Sequence, residues 1–192
     1  MLILIIGLVV FLGLHSVRVV ADGWRSTQIA KLGEGRWKGL YSLGSLIGFG
    51  LIVWGYSLAR KAPVLLWNAP DWTRHLAAPL VLIAFILVAA AYSPPNHFRS
   101  ALGHPMLVGT KVWAIAHLFS NGTLADLLLF GGFLAWAVVA YRNARVRDRL
   151  AHVSYTGATI GGTIVSIVAG LVAWALFAFY LHGLLIGVRP LG

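Results

Sequence analysis

The sequence predicts an all-α fold, a polytopic transmembrane bundle of about six helices. Three observations predict it. Hydrophobic residues make up 59% of the 192-residue chain and charged residues only 10%, which leaves a soluble domain of this size short of polar surface. Apolar runs long enough to cross ~30 Å of hydrocarbon recur along the chain. The basic residues collect between those runs. At this length one integral membrane domain over residues 1–192 is expected, with no separate soluble unit.

The runs fall at 1–21, 39–58, 75–92, 106–120, 123–141 and 159–188. The first has Val19 and Ala21 placed as in a signal-peptide cleavage site. It lacks a basic start and is read as an uncleaved helix. Only Asn121-Gly122 separates the fourth run from the fifth. That tight-turn pair predicts an antiparallel helical hairpin. Thr123-x-x-Asp126 reads as a capping box opening the fifth helix, where an acid also suits the helix dipole. The sixth run carries Ala158, Gly162, Ser166 and Gly170 at every fourth position, and the second carries Gly44-x-x-x-Gly48. Small residues at this spacing let helix backbones approach closely, so packing accounts for them.

Orientation follows from the cations. Arg18, Arg25, Lys31, Arg36 and Lys38 lie around the first loop, Arg99 in the third, and Arg142, Arg145, Arg147 and Arg149 in the fifth. The other side receives Arg60, Lys61, Arg74 and Arg189. The positive-inside rule then puts both termini outside, in the periplasm of a Gram-negative cell. The formal charge of +10 would suggest nucleic acid for a soluble protein. Here the cations meet lipid headgroups, and the aromatics lie in the spans instead of interleaving with them, so no nucleic acid is expected. The partner that composition implies is membrane lipid.

Cysteine is absent, which excludes disulfides, thiolate metal sites and covalent haem attachment. With five acids and no HExxH, nucleophile-elbow or Walker pattern, hydrolase readings are weak. The residues that remain are histidines. His15 and His117 sit well inside apolar runs, and His75, His104 and His182 lie in or at the ends of others. An imidazole in hydrocarbon needs a partner. A carbonyl or hydroxyl on a neighbouring helix suffices for any one of them; several in one small bundle suit axial ligation of a haem iron. Arg18 shares the helix face of His15, where it either meets a propionate or snorkels to headgroups. Lys111 lies mid-span and either neutralises an anionic ligand or snorkels. His104 precedes Pro105 and suits a helix start at the interface. It is thirteen residues from His117, about 20 Å of rise on one helix, so those two cannot hold one iron from opposite sides.

Taken together, HSVR, LGEGRWKGLYSLGSL, WTRHL and LGHPMLVGTKVWAIAHLFSNGTLADLLLF resemble the NnrU family of bacterial membrane proteins over about residues 1–141. The resemblance implies a place in the bacterial inner (cytoplasmic) membrane and a role linked to nitrite and nitric oxide reduction, with a redox partner or denitrification enzymes as company. It also extends to the plant 15-cis-zeta-carotene isomerase, a haem b protein. Carried over from that relative, the iron ligands are His15 and His117; Arg18 and Lys111, by their own positions, are the further candidate cofactor contacts, and His104, His75 and His182 are alternates. The relative's cysteine three residues before the second ligand is Ala114 here, which puts isomerisation by its route in doubt. On straight upright helices His15 and His117 differ by about 12 Å in depth, and depth alone pairs His15 with His104 or His117 with His182. Three functions follow: a haem-b redox or accessory protein, a haem-dependent isomerase of a polyene, and a cofactor-free assembly factor or carrier.

Overall fold

The computed structural model describes residues 1–191, and the description is helical almost throughout. Five helices are long and apolar enough to cross a membrane: α1 (Leu2–Val20), α3 (Glu34–Ala59), α4 (Trp72–Tyr92), α7 (Leu124–Leu150) and α8 (Ile160–Ile186). Between them lie α2 (Asp22–Leu32), α5 (His97–Leu102) and α6 (Pro105–Ser120). At 16 residues, α6 rises only about 24 Å, short of the ~30 Å core. It packs against both α4 and α7, so the six expected spans are five long helices and one short one. The protein is a helical membrane bundle.

The differences from the apolar runs have one cause. Hydropathy marks where lipid touches the chain, whereas a helix continues wherever its backbone bonds continue. Thus α7 runs beyond Tyr141 to Leu150 and carries four arginines past the apolar stretch. For the same reason α2, too polar to register as a span, is a helix with Trp24 exposed. α8 contains a π-helical turn at Phe177–Leu181.

Glycines set how the helices meet. On α3, Gly44, Gly48 and Gly55 face Leu14, Phe11 and Leu4 of α1, so the two helices run antiparallel at backbone contact. On α8, Gly170 faces Ile86 of α4 and Gly162 faces the Pro95 carbonyl, with the fully buried Ser166 between them. The small-residue stripes therefore serve packing. A Cβ at Gly55 would collide with the Leu4 backbone, which cannot yield as a side-chain tip can. Gly55→Val is therefore expected to lower stability by about 1–3 kcal/mol, read as earlier thermal unfolding in detergent. Gly50→Val, whose added Cβ meets nothing within 4 Å, is the control.

The first and last spans converge. Met1 and Ile186 both pack on the core cluster of Leu4, Tyr56, Ala59 and Ala125, and the Arg60 guanidinium donates to the Ile186 carbonyl. The segment after α3 folds over the Asn121-Gly122 turn, where the Leu66 and Trp67 N–H groups donate to the Gly122 carbonyl at 2.8 and 3.1 Å. We call this the turn end. The opposite, basic end carries α2, α5 and the segment between α7 and α8.

Candidate functional site

α1, α6 and α7 position the two intramembrane histidines. His15 donates from Nδ1 to the Phe11 carbonyl at 2.7 Å, and His117 does the same to the Trp113 carbonyl at 2.8 Å. A carbonyl oxygen can only accept, so Nδ1 of each imidazole carries a proton, and in the neutral ring the lone pair is on Nε2. In a helix this bond to the residue four back holds the ring against its own backbone.

The rings around them are aromatic. His15 stacks on Phe11 with centroids 4.1 Å apart and meets the edge of Trp136 at 5.9 Å. His117 stacks on Phe130 at 4.5 Å and touches Trp113 at 5.1 Å. Phe133 bridges the two groups, 5.6 Å from Phe11 and 5.5 Å from Trp113. His15 thus stands at the level of Trp136 and His117 at that of Phe130. Six residues of α7 separate those levels, about 9 Å of rise, somewhat less than straight helices predict. Among the described residues, two buried side-chain polar atoms lack partners, Ser45 Oγ and Trp136 Nε1, and the second belongs to the ring beside His15.

Toward the turn end a polar cluster lies next to His117. Tyr56 donates to Asp126 Oδ1 at 2.5 Å, while Asp126 Oδ2 accepts from the Thr123 N–H at 2.9 Å and hydroxyl at 2.6 Å. The capping box is present as expected. The long-range bond from Tyr56 is not deducible from the apolar run around it. His182 donates from Nδ1 to the Val188 carbonyl at 2.6 Å, the same kind of bond that His15 and His117 make.

The other expected residues lie apart. His104 donates from Nε2 to Asp148 at 2.9 Å, and the Tyr155 hydroxyl donates to the same carboxylate oxygen at 3.0 Å. Its ligating nitrogen is thereby committed, at the basic end. His75 is exposed near the start of α4. Arg18 is exposed at the basic end and faces Arg147 within electrostatic range. Lys111 places Nζ 3.9 Å from the centre of the Tyr141 ring, a cation–π contact that draws its charge toward the basic end. Ala114 is fully buried in the core. Among the described residues no three or more His, Asp or Glu side chains gather as a metal-binding group; ligation by two histidines needs no such group.

Tyr155 lies outside the spans, and its phenol is raised above the ordinary tyrosine value, first by burial and then by the Asp148 carboxylate. A group raised on folding contributes stability that is complete below the unfolded value and is lost as pH rises through the folded one. Tyr155→Phe is therefore expected to cost about 0.5–1 kcal/mol at neutral pH. The deficit fades above about pH 10, in melts compared on either side of that value.

Comparison with family profiles matches residues 3–190 to NnrU, described as NnrU protein. The chain belongs to the NnrU family. The match runs beyond the motif-bearing stretch into α8 and takes in His182. No curated protein and no solved structure matches the chain. The NnrU fold here therefore places three Nδ1-protonated imidazoles in or beside one bundle core, with His104 held outside it.

Proposed function

We propose that this NnrU protein binds haem b through Nε2 of His117 and His15 in the bacterial inner membrane, and serves nitrite and nitric oxide reduction as a redox or accessory protein. The observation that carries the reading is the shared tautomer. Metal-ligating histidines characteristically donate their second nitrogen to a carbonyl or carboxylate, and both imidazoles do so. The orphaned Trp136 N–H beside His15 also fits a bound acceptor group, since a buried donor without one costs about 1–3 kcal/mol.

The rings of Phe11, Phe133 and Trp113 form a continuous aromatic chain from one imidazole to the other. Once bound, haem b supplies a one-electron iron couple. The chain fixes both imidazole planes, encloses the site in apolar rings and keeps water out. If both imidazoles held the group, the chain would support electron transfer while keeping both histidines in place, whereas binding a gas would require one of them to be released.

A second pairing, His117 with His182, is the one that depth along the helices favours, and His182 holds Nδ1 in the same kind of carbonyl bond. The test is the absorption spectrum of detergent-purified protein from haem-replete cells, oxidised and then reduced. A Soret band that travels with the protein is expected, and a colourless preparation overturns the reading.

A further inference from the structure

A cavity of about 240 Å³ opens at the basic end, lined by Pro95, Asn96, Arg99, Ser100, Tyr155 and Thr156 together with Ser154. It lies where α4 ends at Tyr92 and α8 begins at Ile160, far along the bundle from His117 and independent of any haem. We propose that this cavity binds a phosphate group.

Several polar groups of its wall are already engaged: the Pro95 carbonyl takes both the Thr159 N–H at 3.1 Å and the Thr159 hydroxyl at 3.0 Å. Asn96 Oδ1 takes the Arg99 N–H at 2.9 Å. The Asn96 amide is spent as well, donating to the Ala90 and Pro94 carbonyls, both at 2.9 Å. Tyr155 donates its hydroxyl to Asp148.

The Arg99 guanidinium and the hydroxyls of Ser100, Ser154 and Thr156 are exposed along the same wall. Among the described residues none of these side chains makes a hydrogen bond, and Arg99 has no carboxylate within ion-pair distance. The one acid nearby, Asp148, is occupied by His104, Tyr155 and Arg145. A wall left with one forked cation and three hydroxyls matches the oxygens of a phosphate. Its one charged group, Arg99, repels cations.

Two sources carry that group: the headgroup of an anionic phospholipid, and a soluble phosphate compound. The full chain in detergent is titrated with inorganic phosphate and followed by thermal unfolding. In parallel it is reconstituted in phosphatidylcholine bilayers with and without phosphatidylglycerol, then examined by native mass spectrometry for retained lipid. Retained phosphatidylglycerol assigns the lipid source, and stabilisation by phosphate without retained lipid assigns the soluble one.

In either case Arg99→Gln weakens binding by about tenfold or more, the loss of one charged hydrogen-bonding partner. Ser154→Ala with Thr156→Ala weakens it in a protein that keeps every cation. Arg149→Gln, an exposed cation that does not line the cavity, leaves it unchanged. Absence of binding by both probes, or binding that ignores the Arg99 and the Ser154/Thr156 variants alike, overturns the proposal.

Discussion

Protein carrying His117→Ala is expected to emerge colourless from haem-replete cells, with complete loss of the Soret band. His117 belongs to both pairings, so its loss removes an axial nitrogen whichever partner completes the site. His15→Ala and His182→Ala then divide the two. Loss of the band in the first alone assigns the pair across α1 and α6, and loss in the second alone assigns the pair across α6 and α8. His104→Ala is the control, because its Nε2 already donates to Asp148. A Soret band undiminished in His117→Ala would remove the proposal altogether, whatever the other variants do.

The largest expected effect on stability belongs to Asp126. Its carboxylate is 4% exposed and accepts three hydrogen bonds, one from Tyr56 across the bundle and two from Thr123. Asp126→Ala strands the Tyr56 hydroxyl and the Thr123 N–H in the interior and removes half of the capping box. Each stranded buried group costs about 1–3 kcal/mol and a lost cap about 1 kcal/mol. Because the groups share one network these do not add in full, and a loss of about 3 kcal/mol is expected. Tyr56→Phe removes the donor along with its need for an acceptor and is expected to cost about 1 kcal/mol. Thermal unfolding of the three proteins in one detergent measures both, and equal midpoints for Asp126→Ala and the parent would show that the network contributes nothing.

Several elements were legible from residue order because they rest on local chemistry. The capping box is four residues long, and Asn121-Gly122 with the helices flanking it is a single turn. The glycine spacings on α3 and α8 are short-range patterns whose meaning in lipid is close helix contact. The intramembrane histidines stood out because an imidazole is costly in hydrocarbon. The same local logic stopped at Tyr141, where charges end the apolar run while the backbone bonds of α7 continue to Leu150. It also left Asp126 as a cap alone, since nothing near Tyr56 in the chain announces a partner 70 residues away.

The membrane class, the approximate number of spans and the histidines worth testing were determined by the sequence, because each depends on hydropathy and on the cost of a polar group in lipid. Only the tertiary structure decided which imidazoles keep Nε2 free. It committed His104 to Asp148 and Lys111 to Tyr141, and it joined Tyr56 to Asp126. Those outcomes depend on which helices pack together and at what level. Side chains far apart in the chain meet through that packing, and no local pattern encodes it.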